Sequence, residues 1–80
     1  MYFVYILRSR KDNNVYIGIT SDIERRLKQH NSGKNLSTKY RTPFDLIYSE
    51  KTENRVDARN REKYFKSGVG REWIRDNMRP

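Results

Sequence analysis

The chain has 80 residues, which is enough for one small domain with a modest core. It has no cysteine and no 18-residue apolar run, which excludes disulfides, thiolate metal sites and a membrane-spanning helix. Eighteen Lys and Arg against ten Asp and Glu give a net charge of +8, which indicates a polyanionic partner such as nucleic acid rather than solubility alone.

The N-terminal segment predicts a β-hairpin. Residues 2–9 (YFVYILRS) are rich in aromatic and β-branched side chains and favour a strand, and residues 15–20 (VYIGIT) favour a second one. The cluster RKDNN between them is typical of a turn, in a loop longer than the tightest hairpins use.

Side chains alternate along a strand, so the hairpin has two unlike faces. We assume a register in which Leu7 lies opposite Asn14 and Tyr5 opposite Tyr16. One face is aliphatic and is predicted to be core, whereas the other is aromatic and includes Gly18, a residue that within a strand often marks a close approach. The aliphatic face carries Val4, Ile6, Val15, Ile17 and Ile19, and the second face carries Phe3, Tyr5, Leu7, Tyr16, Gly18 and Thr20.

The segment after the hairpin predicts a basic helix. Ser21, with Glu24 three positions later, forms a capping box at its start, and Asn31-Ser32-Gly33 is a helix-stop signal.

The side chains of this helix point in different directions. At about 100° per residue, His30 falls near the middle of the apolar face, Arg26 lies at its edge, and Arg25 and Lys28 point to solvent. The planar fork of Arg26 suits a two-point grip on a phosphate, and the alternative is a surface salt bridge. His30 is the only histidine, which excludes a His-cluster metal site, and its alternative role is that of a core histidine with satisfied hydrogen bonds.

The rest of the chain predicts one strand and two helices. Residues 34–43 form a basic loop, 44–50 (FDLIYSE) a third strand, and a helix follows from Thr52 or Asn54 to Gly68. A last short helix covers 71–78. The order β-β-α-β-α-α predicts an α+β domain over residues 1–80, with a small three-stranded antiparallel sheet flanked by helices.

One carboxylate stands out in the second helix. Ala58, Glu62 and Phe65 have helical spacing, which places Glu62 on or beside the inward, apolar face. A carboxylate there needs a cation or hydrogen-bond donors. Two interpretations stay open: a hard divalent metal, since Mg²⁺ commonly uses one or two protein carboxylates, or an ion pair with a neighbouring Arg or Lys.

These motifs together resemble the GIY-YIG nuclease superfamily, in particular small stand-alone bacterial members similar to the N-terminal domain of excinuclease UvrC. Phe3-Val4-Tyr5 stands at the first signature and Tyr16-Ile17-Gly18 matches the second literally. Arg26 follows ten residues after Tyr16, and His30 four residues later. Glu62 in NREKYFKSG corresponds to the family's single metal-binding glutamate.

The resemblance implies a GIY-YIG endonuclease fold and metal-dependent hydrolysis of phosphodiester bonds, for example in DNA repair or recombination. It assigns Mg²⁺ or Mn²⁺ to Glu62 and stabilisation of the phosphorus centre to Arg26. Tyr5 is the implied general base, positioned by Tyr16 and His30. His30 is the alternative base, because its ordinary pKa already suits the task.

The resemblance also implies a nucleic-acid partner, with DNA favoured over RNA. The residues expected to hold its backbone are Arg25, Lys28, Lys34, Lys39 and Arg41, with Tyr40 either stacking on a base or simply packing. We expect the protein to be a cytoplasmic monomer, and a separate protein partner that supplies specificity is compatible with this expectation. The alternatives are a nucleic-acid-binding module on the same fold with little or no activity, and a basic protein that binds another protein.

Overall fold

The structure is a computed structural model that describes residues 1–36 and 38–78. Within these residues it has three strands and three helices in the predicted β-β-α-β-α-α order, which confirms the α+β fold class. In the same residues no helix is long and apolar enough to cross a membrane. The elements are β1 (Tyr2–Ser9), β2 (Val15–Thr20), α1 (Ile23–Asn31), β3 (Phe44–Thr52), α2 (Arg55–Lys66) and α3 (Gly68–Asn77).

The three strands form one antiparallel sheet in the order β2-β1-β3. The assumed hairpin register is wrong by two residues, since Leu7 pairs with Tyr16 and Tyr5 pairs with Gly18. The turn is longer than assumed, because Asn14 belongs to the turn and the paired residues of β2 begin at Val15. Asn13 adopts the left-handed φ of 61° that asparagine tolerates in turns.

The two faces of the hairpin are nevertheless as predicted, because an even shift leaves every side chain on its own face. The aliphatic face packs against α2 and α3. The buried side chains of this core are Val4, Ile6, Ile17, Ala58, Phe65 and Ile74. The aromatic face forms a second, smaller cluster in which Tyr5, Leu7 and Phe44 are buried, with Tyr16 and Leu27 of α1 against them.

The start of α1 differs from the prediction by one residue. The N-cap is Asp22 and not Ser21: its backbone is extended, and its carboxylate accepts a hydrogen bond from the Arg25 amide at 3.1 Å. A carboxylate in this position satisfies a free amide and favours the positive end of the helix dipole. The helix ends at Asn31, as the stop signal predicted.

The junction of α2 and α3 is tighter than the sequence indicated. Helix α2 is capped by Asn54, one of the two predicted starts, and ends at Lys66. Helix α3 begins at Gly68 and not at residue 71, because Ser67 ends one helix and caps the next through its hydroxyl, which accepts from the Gly70 amide. Gly70 lies so close to α2 that a Cβ there would stand 2.0 Å from the Tyr64 carbonyl oxygen.

A bidentate ion pair fixes α2 to the sheet. Arg61 donates from Nε and Nη2 to the two carboxylate oxygens of Glu50 on β3, both at 2.8 Å. The Tyr48 hydroxyl donates to the same carboxylate at 2.8 Å, and this set of contacts lowers the pKa of Glu50. Glu50 is therefore the carboxylate that joins α2 to the sheet.

Gly70→Ala and Gly68→Ala form a matched pair that tests this junction. A methyl group at Gly70 would meet backbone atoms of α2, whereas the position at Gly68 is open. We expect Gly70→Ala to lower the free energy of unfolding by about 3 kcal/mol. Gly68→Ala should change it by less than about 1 kcal/mol. Urea unfolding measures both values, and equal stabilities would contradict this packing.

Candidate active site

The aromatic face carries a buried pair formed by Tyr5 and His30. The Tyr5 ring lies over Gly18 on the paired strand, where a Cβ would stand 2.4 Å from the Tyr5 Oη. The missing side chain lets the ring reach α1. There, Oη and His30 Nε2 are hydrogen-bonded at 3.1 Å, with Tyr5 only 3% exposed and His30 fully buried.

The other nitrogen of His30 is bound by the loop after α1. His30 Nδ1 and Thr38 Oγ1 are 2.9 Å apart, and Thr38 is also fully buried. Asn31 anchors the far end of this loop: its side chain accepts from the Phe44 amide at 2.7 Å and donates to the Phe44 carbonyl at 3.2 Å. His30 thus has the satisfied hydrogen bonds of a core histidine while it contacts the first signature tyrosine.

Tyr16 completes the aromatic group at its more open side. Its ring centroid lies 4.9 Å from that of His30 and 6.4 Å from that of Tyr5. Tyr16 is half-buried, so its phenol is the more accessible of the two signature tyrosines. The structure therefore brings Tyr5, Tyr16 and His30 into one cluster.

Arg26 lies half-buried one turn before His30 on α1. Its guanidinium has no carboxylate partner among residues 1–36 and 38–78, so the salt-bridge alternative is not observed there. Its positive charge lowers the pKa of both Tyr5 and His30. A cation that acts electrostatically on a phenol and an imidazole, and that has no carboxylate partner in the described residues, is available to an anionic ligand.

Glu62 comes from α2, in the layer on the opposite side of the sheet. Its side chain is 13% exposed and pairs with Lys66 at 3.2 Å and Arg59 at 3.6 Å. The ion-pair interpretation of Glu62 is thus observed. Its negative charge also raises the pKa of Tyr5, although burial and Tyr16 have larger effects. The carboxylate therefore acts on Tyr5 electrostatically.

The residues present fit a hard divalent cation that keeps most of its waters better than a metal held by several protein ligands. No group of three or more His, Cys, Asp or Glu gathers in the described part of the chain. Mg²⁺ and similar ions bind to one or two carboxylates and keep several waters. The two cationic partners of Glu62, Arg59 and Lys66, are exposed neighbours on its own helix.

The acid–base properties of the cluster follow from its burial. Burial raises the pKa of the Tyr5 phenol above its ordinary value, with smaller contributions from Tyr16 and Glu62 and an opposing one from Arg26. Burial also lowers the pKa of His30, and the Arg26 charge acts in the same direction. At neutral pH the Tyr5–His30 pair is a neutral phenol and a neutral imidazole.

The residues expected to hold a nucleic-acid backbone do not form one uniform surface. Arg25, Lys28 and Lys34 line an open groove of about 480 Å³ along the outer side of α1. Lys39 places its ammonium 4.7 Å from the ring of Tyr40, which is 73% exposed. Arg41 is more confined: its Nε pairs with Asp12 at 3.2 Å, and its Nη2 is buried without a hydrogen-bond partner in the described residues.

Sequence reasoning missed Thr38 and Asn31. Both are short polar residues in a segment rich in such residues, so nothing in the sequence distinguishes the hydroxyl that meets His30 from its neighbours. A pair separated by eight residues across a loop has no periodicity to detect. In the sequence Asn31 indicated only the end of a helix, whereas its side chain holds the start of β3.

The fold and this cluster define a domain of the GIY-YIG class. The family model described as "GIY-YIG catalytic domain" matches residues 1–74. The chain belongs to this family, which confirms the predicted resemblance.

The relatives are small proteins that share most of this chain. It is 41% identical over 66 residues to the UPF0213 protein YazA of Bacillus subtilis, covering 81% of this chain and 66% of that protein. It is 43% identical over 67 residues to the UPF0213 protein CPE1444 of Clostridium perfringens, covering 82% and 71%. The solution NMR structure of the UPF0213 protein BH0048 from Bacillus halodurans matches with a TM-score of 0.55 and 35% identity, covering 92% of this chain and 82% of that one.

The burial of His30 predicts its titration. Its folded-state pKa is below the ordinary 6.5, so the unfolded chain binds the proton more tightly. The free energy of unfolding should therefore fall as the pH drops from about 6.5, until the folded-state pKa is passed. Because His30 is the only histidine, its imidazole signal is unambiguous in an NMR titration. A midpoint at or above 6.5 would contradict the buried environment.

Proposed function

We propose that this chain is a metal-dependent endonuclease that hydrolyses phosphodiester bonds in DNA. The observation that carries the proposal is the position of Arg26, whose guanidinium lacks a carboxylate partner in the described residues and acts electrostatically on the Tyr5–His30 pair. Membership of the GIY-YIG catalytic-domain family supports a nuclease.

In this proposal Arg26 binds the scissile phosphate. A phosphoryl centre under attack gains negative charge on its non-bridging oxygens, and a guanidinium offers two parallel donors to two of them. Half-burial increases the effect because it removes part of the screening by water. The neighbouring Arg25 is exposed and belongs to the outer groove, so it contributes to general attraction of the backbone.

Tyr5 is the proposed general base, with Tyr16 at the open side of the cluster. A base must take a proton from the attacking water, and a buried phenol does so poorly because its pKa is raised. Arg26 opposes this effect, since its charge favours the phenolate. The hydrogen bond to His30 holds the phenol oxygen in place within the cluster.

Glu62 is the proposed metal ligand, and its cation is Mg²⁺ or Mn²⁺. A bound divalent ion supplies Lewis-acid stabilisation of charge on the phosphate oxygens. Glu62 suits the role better than Glu50, which is held by the bidentate contact with Arg61 and by the Tyr48 hydroxyl. Removing the Glu62 carboxyl charge should therefore leave the fold intact.

The backbone of the DNA would follow the groove on α1, where Arg25, Lys28 and Lys34 outnumber Asp22 and Glu24, toward the loop of residues 34–43. Such contacts carry no base specificity, so a protein partner that supplies it remains part of the proposal. The exposed ring of Tyr40 beside Lys39 is suited to stack on a base.

One observation favours a second candidate, a nucleic-acid-binding module with little or no activity. Glu62 is paired with both Lys66 and Arg59, so the carboxylate has cationic partners within its own helix. In that case the net charge of +8 would support binding whose affinity falls steeply as salt rises, without cleavage.

Cleavage of supercoiled plasmid and of linear, branched and flapped DNA with Mg²⁺ or Mn²⁺ separates the two candidates. We expect the wild type to nick DNA, Arg26→Ala to lower the single-turnover rate on the order of 10²–10³-fold, and Glu62→Gln to abolish metal-dependent cleavage.

Two variants on α3 serve as controls for charge alone. Arg75→Ala and Glu72→Gln remove the same charges from exposed positions and should retain most of the activity. Nicking that persists unchanged in both Arg26→Ala and Glu62→Gln would contradict the proposed site. Salt-sensitive DNA binding without cleavage by the wild type would favour the binding module.

A further inference from the structure

We infer that Thr38 is a positioning residue that sets the tautomer of His30, so that His30 carries its proton on Nε2 and donates it to the Tyr5 oxygen. The contacts that carry this inference are Thr38 Oγ1 to Nδ1 at 2.9 Å and Tyr5 Oη to Nε2 at 3.1 Å. Both ring nitrogens are therefore in use, and the three side chains are buried.

A neutral imidazole has one donor and one acceptor nitrogen, so two arrangements are available. In the first, the Thr38 hydroxyl donates to Nδ1, and Nε2–H donates to Tyr5 Oη. In the second, the Tyr5 hydroxyl donates to Nε2, and Nδ1–H donates to Thr38 Oγ1. The two arrangements differ in which hydroxyl proton lacks an acceptor.

Burial decides between them. Thr38 is 0% exposed, and the described residues provide its hydroxyl with no acceptor besides His30 Nδ1. The second arrangement would leave that hydroxyl proton buried and unpaired, which is costly. The first arrangement frees the proton of Tyr5, which is 3% exposed and lies beside the half-buried Tyr16. The first arrangement therefore leaves the unpaired hydroxyl proton on Tyr5, the residue of the two that keeps some exposure.

The consequence for catalysis rests on the proposed function. With its proton on Nε2 and a donor at Nδ1, His30 has no free lone pair, so it is not the general base. Instead, its N–H stabilises negative charge on Tyr5 Oη whenever the phenol has lost its proton. Thr38 thus acts through His30 and favours Tyr5 as the base.

The ¹⁵N shifts of the single imidazole test the inference without DNA or metal. Long-range ¹H–¹⁵N spectra at about pH 8, where the ring is neutral, distinguish the tautomers. We expect the Nε2–H form in the wild type and in Thr38→Ser, which keeps the hydroxyl. In Thr38→Val, which removes it at nearly constant volume, the Nδ1–H form should gain population. Thr38→Ala provides a second hydroxyl-free variant if Val does not fold.

Two results would overturn the inference: the Nδ1–H form in the wild type, or an unchanged tautomer in the folded hydroxyl-free variants. Cleavage is measured in parallel. Thr38→Val should be slower by roughly tenfold, which is less than the roughly 10²–10⁴-fold of an acid–base group itself, and Thr38→Ser should be close to the wild type. An inactive wild type with the expected tautomers would remove the proposed function and leave the assignment of Thr38 standing.

Discussion

The contact between the Tyr5 ring and Gly18 is the constraint on which the rest of the site depends. A side chain at position 18 would occupy the space of the phenol, since its Cβ would stand 2.4 Å from Oη. Because glycine leaves this space free, the ring lies across the neighbouring strand and its oxygen reaches His30 on α1. Gly18 therefore makes room for Tyr5 on the paired strand, and the group that approaches this glycine closely is the Tyr5 side chain.

The sheet separates two kinds of packing. Its aliphatic face meets α2 and α3 and supplies most of the apolar core, while its aromatic face meets α1 through a histidine and hydroxyl groups. Glu50 on β3 and Glu62 on α2 differ in a similar way. Glu50 is held by a bidentate arginine and fixes α2 to the sheet, whereas Glu62 has only exposed partners on its own helix. Glu50 is therefore suited to stabilise the fold, and Glu62 is suited to exchange its partners for a ligand.

The sequence predicted the elements and the two faces well, because both follow from local patterns. Alternation assigned Val4 and Tyr5 to opposite faces of the hairpin. Shifting the strand pairing by two residues leaves this assignment unchanged, so the alternation could not reveal that the assumed register was wrong by two. The N-cap was displaced by one residue because Ser21 and Asp22 are both good caps, and only the backbone decides between them.

The contacts that make the cluster specific lie beyond such patterns. Helical spacing placed His30 and Arg26 near the sheet, but the partners of each side chain depend on how the loop after α1 folds back. Thr38 meets His30 through that loop, and Glu62 acts on Tyr5 from the opposite layer. The first is a tertiary contact and the second an electrostatic effect between separate segments, and a single sequence has no period or spacing that would reveal either.

In the proposed mechanism Arg26, the aromatic cluster and Glu62 act on one phosphate. The most direct measurement is a crystal structure of the chain with a short DNA and Ca²⁺ in place of the reactive metal. We expect a backbone phosphate on the Arg26 guanidinium next to Tyr5 and Tyr16, with the cation bound to a Glu62 carboxylate released from Lys66. DNA bound elsewhere, with Glu62 still paired to Lys66 and Arg59, would contradict it.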